Sequence, residues 1–279
     1  MIDLTGLRYS LITVWILDAK PPFFIGSQIR GALGYALKRA VCINPKYSCD
    51  GCFGTDECLY YEFYETKNSY HNYRFDFKLG LDSYEFGIYL FESACDSIAY
   101  VVSAVYIMLS KFGLGRRRFE SFDICVNGVS VFDGKSITLP NQCIKIAKFD
   151  TFSSCVNIKL ITPLRIKKFN RFIRDDGLEL RDILASIYAR IRQIQESNIK
   201  YNPKTKAQIS NKNLQYCELT RHSNRQKTFM NLGGLMGELK VENLDWQSYK
   251  VLKLGEILGV GKQCTFGLGK IEVEDIDGI

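Results

Sequence analysis

The sequence predicts an α+β fold in which two halves repeat one order of elements. Strand-like and helix-like apolar runs follow one another in the order β-α-β-β-α-β, and the second half returns to the same order. The loops between these runs are mostly short. The chain has 279 residues, 46% of them hydrophobic, which suffices for two domains that each bury a core. This element order is that of the ferredoxin-like, or RRM-like, split βαβ unit.

The predicted first domain, residues 1–140, begins with an apolar run at residues 7–17 that we interpret as a buried strand. A helix follows at residues 23–41, where Gly31 and Gly34 are expected to let it lie close to a sheet. A cysteine-rich loop at residues 42–58 forms an insertion. The remaining predicted elements are strands at residues 73–79 and 84–91, a helix at 95–112 and a strand at 121–132.

The predicted second domain, residues 150–279, repeats the order. Gly233 and Gly234 mark a hairpin between two strands within residues 225–242. The other predicted elements are a strand at residues 153–164, a helix at 179–194, a helix at 246–260 and a last strand at 265–274. A glycine-rich loop at residues 259–270 overlaps the first residues of that predicted strand.

Charge is concentrated in one part of the chain. The net charge is +7, yet residues 159–227 alone carry 16 lysines and arginines against 6 acidic residues. A concentrated basic stretch is typical of proteins that bind nucleic acid. The start of the chain lacks the pattern of a secretory signal, and the longest apolar run, residues 98–109, is short for a membrane span. We therefore expect a cytoplasmic protein with no membrane partner.

Four of the ten cysteines are clustered as C-x6-C-x2-C-x5-C, at Cys42, Cys49, Cys52 and Cys58. Four thiolates satisfy tetrahedral zinc, and C-x2-C places two ligands on one turn. In a cytoplasmic chain such a cluster favours a metal over disulfides. The spacing predicts a structural zinc site, while an iron–sulfur cluster and ordinary free cysteines remain open.

The glycine-rich loop, GVGKQCTFGLGK, has two interpretations from the sequence alone. Glycine supplies positive φ for a tight turn, and it also lets main-chain N–H groups approach a phosphate. The loop departs from the phosphate-binding G-x-x-x-x-G-K-[ST] pattern because Ile271 follows Lys270. It also departs from the dinucleotide pattern because a strand-like run follows it. A turn and a ligand loop both remain open.

Several motifs together resemble a known family. They are FFIGSQIRGALGYAL before the cysteine loop, CLYYEFYE after it, LGRRRFESFDI, LITPLRIK, RHSNRQKTFMNLGGLMGEL, and finally Gly261-x5-Gly267-x-Gly269. In this order they resemble the CRISPR repeat-RNA processing endoribonucleases of the RAMP superfamily, in a branch with a cysteine-rich loop after the first helix. The final motif is similar to the superfamily's glycine-rich loop.

The resemblance implies that the chain binds CRISPR repeat RNA and cleaves precursor CRISPR RNA without a metal. The 2′-OH of the RNA would be the nucleophile, giving 2′,3′-cyclic phosphate and 5′-OH ends. A non-catalytic RNA-binding subunit of a CRISPR interference complex is the alternative, and both association with such a complex and a homo-oligomer stay open. Many members of the family place a catalytic histidine near the end of the first helix, where this chain has none.

The candidate site residues follow from the residue types and the resemblance together. Histidine suits general acid–base catalysis near neutral pH, and the chain has only two. The catalytic candidates are His222, His71 and Lys227. The RNA-binding candidates are Arg30, Arg165, Lys167, Arg221, Arg225, Gly261, Lys262, Thr265, Gly267 and Gly269.

Overall fold

A computed structural model describes residues 6–67, 70–115, 117–196, 205–223 and 228–276, without the side chains of residues 222, 223 and 228. The chain divides into two compact units, an N-terminal unit, Leu7–Ile146, and a C-terminal unit that includes Ala147–Ile279. The boundary falls in the interval left between the predicted domains, residues 141–149. Each unit is mixed α and β with an antiparallel sheet, so the predicted α+β, ferredoxin-like fold class is confirmed.

The N-terminal unit has one sheet, whose strands lie in the order β2 (Tyr73–Asp76), β3 (Tyr84–Phe91), β1 (Arg8–Ile16), β4 (Asp123–Val126) and β5 (Val129–Ser130). A short strand, β6 (Lys145–Ile146), pairs with the first two residues of β1. Burial alternates along β1, where the side chains of Ile12, Val14 and Ile16 are buried and those between them are half-buried. The strand that was predicted to be buried therefore has one buried face and one half-buried face. The elements are β1 (Arg8–Ile16), α1 (Gly26–Val41), α2 (Leu59–Tyr64), β2 (Tyr73–Asp76), β3 (Tyr84–Phe91), α3 (Ile98–Ile107), β4 (Asp123–Val126), β5 (Val129–Ser130) and β6 (Lys145–Ile146).

Helices α1 and α3 contribute to a single apolar core with this sheet. Ile29, Leu33 and Leu37 of α1 recur at helical spacing and are fully buried, as are Val101 and Val105 of α3. Gly34 lies against helix α2, whereas the sequence predicted that it lies against a sheet. A β-carbon there would lie 2.7 Å from the Tyr64 ring, so this glycine lets α2 pack against α1.

The segment Glu92–Phe112 is longer than the apolar run found in the sequence. A 3₁₀ turn, α3 and a π-helical turn join into 21 helical residues whose length and composition would suffice to cross a membrane. Half of the most apolar 18-residue window of this stretch is buried inside the unit. Its buried side chains belong to the core just described.

The C-terminal unit has a four-stranded sheet in the order β10-β13-β7-β14, all pairs being antiparallel. Two small hairpins, β8–β9 and β11–β12, accompany it. The elements are β7 (Val156–Leu164), β8 (Lys167–Lys168), β9 (Arg171–Phe172), α4 (Leu180–Ile194), β10 (Gln208–Cys217), β11 (Thr220–Ser223), β12 (Thr228–Asn231), β13 (Gly234–Glu242), α5 (Trp246–Leu258) and β14 (Ile271–Asp275).

The predicted hairpin around Gly233 and Gly234 is wrong in its pairing. Strand β13 pairs with β10, and β12 pairs with β11, so the two runs on either side of these glycines belong to different ladders. Strand β10 was not predicted from the sequence, because most of its side chains are polar and exposed. An edge strand of this kind lacks the apolar alternation that identifies a strand.

The two helices of the C-terminal unit have well-defined starts. Glu179 and Asp182 form a reciprocal capping box at α4, and Asp245 accepts a hydrogen bond from the Ser248 N–H at α5 (2.9 Å). Helix α5 ends at Gly259, whose φ is 75°. The glycine-rich loop therefore starts directly at the end of a buried helix.

Candidate functional sites

The glycine-rich loop passes so close to neighbouring main chain that two of its glycines have no room for a β-carbon. A β-carbon on Gly269 would lie 1.7 Å from the Val260 carbonyl oxygen, and one on Gly261 would lie 2.5 Å from that of Arg165. Both glycines also have positive φ, 71° and 82°. The close approach that demands these glycines is made by the protein's own backbone.

Main-chain N–H groups of this loop are directed to acceptors within the C-terminal unit. Gly261 donates to the Ser186 hydroxyl (2.8 Å), Lys262 to the Arg165 carbonyl (2.8 Å) and Gly269 to the Pro163 carbonyl (3.2 Å). The other donors are Val260 to Gly269, Phe266 to Gln263, Gly267 to Cys264 and Lys270 to the Thr162 hydroxyl. Two of these bonds, to Pro163 and Thr162, attach the loop to β7, another attaches it to Ser186 of α4, and three lie within the loop, so these N–H groups are already used when the protein is folded.

The three predicted RNA-binding glycines, Gly261, Gly267 and Gly269, are buried. The close approaches at Gly261 and Gly269 are to the protein's own main chain, and the RNA-binding role of the three glycines stays a prediction. Lys262 is exposed and Thr265 is half-buried, so these two members of the set do reach the surface.

Arg165 is buried beneath that loop, although it was predicted to bind RNA. It is 6% exposed, its guanidinium donates to the Gly233 carbonyl, and it lies 4.2 Å from the centre of the Phe172 ring. Burial lowers the pKa of this guanidinium from its usual value. Its side chain packs against Gly233 and Phe172, whereas Lys167, exposed and 5.1 Å from the same ring, stays at the surface, and the RNA-binding role of both residues stays a prediction.

The Arg221 side chain contacts the glycine-rich loop at the Phe266 ring. Its guanidinium lies 4.3 Å from the centre of the Phe266 ring and 3.1 Å from the Met230 sulfur. Phe266 and Met230 were not among the predicted site residues. The sequence shows both, but nothing in its periodicity indicates that β11, β12 and the loop meet here.

His71 is the catalytic candidate whose side chain lies within the described part of the structure. Its Nδ1 atom lies 2.9 Å from the Glu62 carbonyl oxygen. Because a carbonyl oxygen only accepts, Nδ1 carries the proton in this contact and Nε2 is the nitrogen that can accept one. His71 is half-buried at the end of the segment that follows α2.

Arg30 shares an aromatic cluster with His71. The rings of His71 and Tyr73 are 6.0 Å apart, those of Tyr73 and Tyr64 are 6.0 Å apart, and the Arg30 guanidinium lies 4.9 Å from the centre of the Tyr64 ring. Burial raises the pKa of both tyrosine phenols, so neither is suited to accept a proton as phenolate at neutral pH. Within the cluster, His71 is the group suited to proton transfer.

His222 lies on β11, where its main chain pairs with Phe229. Its side chain is outside the described part of the structure, as are Arg225 and Lys227. The roles predicted for these three residues stay predictions.

The four clustered cysteines line one cavity of about 250 Å³, together with Tyr60 and Tyr61. Cys42 follows the last residue of α1 and Cys58 precedes the first residue of α2, while a turn joins the Cys52 N–H to the Cys49 carbonyl (3.4 Å). The Lys38 ammonium donates to the Cys49 sulfur (3.3 Å). Among the described residues, no three His, Cys, Asp or Glu side chains are close enough together to hold a metal ion.

The fold and the glycine-rich loop define a protein of two tandem ferredoxin-like units, the class to which RAMP proteins belong. Residues 158–271 match the family model of the CRISPR-associated endoribonuclease Cas6, and residues 7–137 match a model described as the AF_1859 N-terminal domain. The Cas6 match thus lies in the C-terminal unit, and each of the two family models covers less than half of the chain. The resemblance found in the sequence is confirmed.

Individual relatives are distant in sequence. An uncharacterized protein of Archaeoglobus fulgidus is 23% identical over 273 residues, covering 89% of this chain and 91% of its own. Thermus thermophilus Cas6 in a product complex is 14% identical with a TM-score of 0.55, covering 96% of this chain and 99% of that one. A partial Cas6–RT–Cas1–Cas2 complex contains a chain that is 13% identical with a TM-score of 0.58, covering 99% of this chain and 47% of that one. These structural likenesses concern the fold.

Proposed function

We propose that this chain binds CRISPR repeat RNA and cleaves the precursor transcript into guide units without a metal ion. The observation that carries the proposal is the match of residues 158–271 to the Cas6 endoribonuclease family, in the unit that also holds the basic stretch. A net positive unit supplies the electrostatic attraction that RNA binding requires. We further propose a cytoplasmic location, since the CRISPR transcript is made there in a prokaryotic cell, and contact with other CRISPR proteins, as in the partial Cas6 complex.

The chemistry needs only groups that side chains provide. A base removes the proton of the 2′-OH, that oxygen attacks the adjacent phosphorus, and the bond to the 5′-oxygen breaks as an acid supplies its proton. Cations stabilise the charge that develops on the phosphoryl oxygens. The products are a 2′,3′-cyclic phosphate and a 5′-hydroxyl.

We assign the base to His71 in the first instance. Its Nδ1–H is held by the Glu62 carbonyl, which fixes the ring and leaves Nε2 as the proton acceptor. Arg30 shares its aromatic cluster and can contribute positive charge for phosphate. His222 and Lys227 remain the alternative catalytic groups, and Lys167, Arg221, Arg225, Lys262 and Thr265 remain the proposed RNA contacts.

Cleavage in the presence of a chelator tests this function. The full chain is incubated with RNA that carries the repeat from its own genome, in excess EDTA, beside the same RNA with a 2′-deoxyribose at the cleaved position. We expect cleavage of the first RNA and none of the second, because only the first has the nucleophile. The fragments should carry 2′,3′-cyclic phosphate and 5′-hydroxyl ends.

Two other outcomes of this experiment would contradict the proposal in different ways. Cleavage that stops in EDTA and returns with added Mg²⁺ would rule out the metal-independent mechanism. Tight binding of both RNAs without cleavage of either would indicate the non-catalytic RAMP subunit of an interference complex.

We also propose that Cys42, Cys49, Cys52 and Cys58 hold one structural zinc ion. The donor set fits zinc because all four thiols line one cavity, and two of them stand at the ends of α1 and α2. Each sulfur of a zinc site lies about 2.3 Å from the ion. The four sulfurs are further apart in the structure than such a site allows, so they would have to move closer together to bind the ion. The ion would join the two helix ends and plays no part in the cleavage chemistry above.

Metal content tests the zinc site. We expect about one zinc per chain in protein purified under reducing conditions, and loss of that zinc in Cys49→Ser. The matched control is Cys125→Ser, which removes a half-buried thiol of β4 outside the cavity and should keep the metal. Wild-type protein without zinc, or Cys49→Ser with full zinc, would exclude the site. Zinc is measured again after the EDTA incubation, so that a lost structural ion is not mistaken for a catalytic one.

A further inference from the structure

The β8–β9 hairpin of the C-terminal unit presents an exposed aromatic ring at its tip. Lys168 pairs with Arg171 across the ladder, so Phe169 and Asn170 form a two-residue turn. Both have positive φ, 51° and 63°, and the Phe169 side chain is 92% exposed. Such turns favour asparagine and glycine, because a bulky side chain is strained at positive φ.

The hairpin does not need this ring for its own stability. Ile166 and Ile173 at its base are buried, and the Ile173 N–H donates to the Ile166 carbonyl (3.0 Å). Phe172 packs against Arg165 and Lys167. Phe169 lies beyond all of these contacts, so its surface faces solvent.

The hairpin that carries the ring is basic. Residues 165–174, RIKKFNRFIR, contain five basic residues and no acidic one. Lys168 is paired with Glu179 (2.8 Å) and Asp182 (3.6 Å) of the α4 start. Lys167, Arg171 and Arg174 are exposed on the same segment, with Asp175 and Asp176 following it. A flat apolar ring among cations complements a nucleotide, which has a flat base and a phosphate.

We propose that Phe169 stacks on an unpaired base of bound RNA, while Lys167 and Arg171 contact the adjacent phosphates. This inference rests on the proposed function and adds a contact with single-stranded RNA to it. Stacking accepts any base, because every base has an aromatic face, so the contact supports affinity and does not select sequence.

A comparison of binding to two polyanions distinguishes the contribution of base stacking from that of electrostatic attraction. The probes are a fluorescein-labelled oligouridylate of about 16 nucleotides, at the upper end of the site sizes of single-strand binders, and inorganic polyphosphate, which has no bases. Phe169→Asn should weaken oligouridylate binding by roughly 5- to 100-fold and leave polyphosphate binding unchanged. Phe169→Leu, apolar but not flat, should lose most of the same affinity, whereas Phe169→Trp should keep it. Tyr100→Ala, which removes an exposed aromatic ring from α3, is the matched control and should bind as wild type.

Folding is checked in the same variants. Asparagine tolerates positive φ, so Phe169→Asn should unfold at a temperature no lower than wild type. A parallel loss of affinity for both polyanions would overturn the stacking assignment in favour of a purely electrostatic effect. Unchanged RNA binding with an altered oligomeric state in Phe169→Asn would overturn it in favour of a protein contact. If wild type binds polyphosphate but neither oligouridylate nor repeat RNA, the proposed RNA function itself fails, and this inference with it.

Discussion

Gly269→Ala is expected to unfold the C-terminal unit or to leave it marginally stable. The new β-carbon would lie 1.7 Å from the Val260 carbonyl oxygen, and alanine would have to adopt a φ of 71°. The conformational strain alone costs about 1–3 kcal/mol. The clash must in addition separate two main chains whose hydrogen bond, from the Val260 N–H to the Gly269 carbonyl, measures 2.8 Å. Overpacking of this kind adds about 1–3 kcal/mol, and the total approaches the stability of an ordinary domain.

Each unit has one tryptophan, so the unfolding of the C-terminal unit can be followed separately by fluorescence. Trp246 reports on the C-terminal unit and Trp15 on the N-terminal unit. Urea unfolding of Gly269→Ala, followed in a Trp15→Phe background, should show the Trp246 transition at a much lower denaturant concentration. Gly31→Ala, followed through Trp15 in a Trp246→Phe background, is the matched control, because its β-carbon meets nothing within 4 Å and alanine favours helix α1 by about 1 kcal/mol. A Gly269→Ala protein as stable as wild type would show that the close approach is absent.

This prediction also separates folding from RNA binding at the loop. Gly261, Gly267 and Gly269 are buried, so an alanine variant that binds RNA poorly would do so because the unit is damaged. Lys262 is exposed on the same loop, and Lys262→Ala removes charge without adding a β-carbon to a crowded main chain. RNA affinity at this loop is therefore best tested with the lysine.

Apolar periodicity was sufficient to predict the elements that form the two cores. Helix α1 and strand β7 carry their buried residues at regular intervals, and the repeated β-α-β-β-α-β order follows from such runs. Strand β10 could not be found in this way. Its stability comes from main-chain pairing with β13, and most of its side chains face solvent. A backbone ladder leaves little trace in the side-chain pattern when neither face is fully buried.

The glycine-rich loop shows a different limit of the sequence. A turn and a phosphate-binding loop both need glycine at positive φ, so the residues could not distinguish them. The distinction lies in the acceptors, such as the Ser186 hydroxyl and the Arg165 carbonyl, which come from distant parts of the chain. Likewise, the sequence places His71 after the cysteine-rich loop, but only the fold brings Glu62 to its Nδ1 atom.

His71→Ala should reduce the rate of RNA cleavage by about 100- to 10,000-fold, the usual contribution of a positioned acid or base, with RNA affinity close to wild type. The loss should appear in single-turnover rates with saturating protein, which report the chemical step. His71→Asn is the informative second variant. Its amide nitrogen stands in the position of Nδ1 and can still donate to the Glu62 carbonyl, so it preserves the local contact and removes only the proton acceptor.

His222→Ala is the matched control for this assignment, since His222 is the chain's other histidine. If His71 is the base, His71→Asn should be as slow as His71→Ala while His222→Ala cleaves at a rate near wild type. If His71→Asn is active and His71→Ala is not, the Glu62 contact matters for structure alone, and His71 positions the segment before β2. The reverse pattern, a slow His222→Ala and an active His71→Ala, would move the base to β11. Full activity in both alanine variants would exclude histidine from the mechanism, and cleavage would then depend on Lys227 or on positioning of the 2′-OH in line with the phosphate.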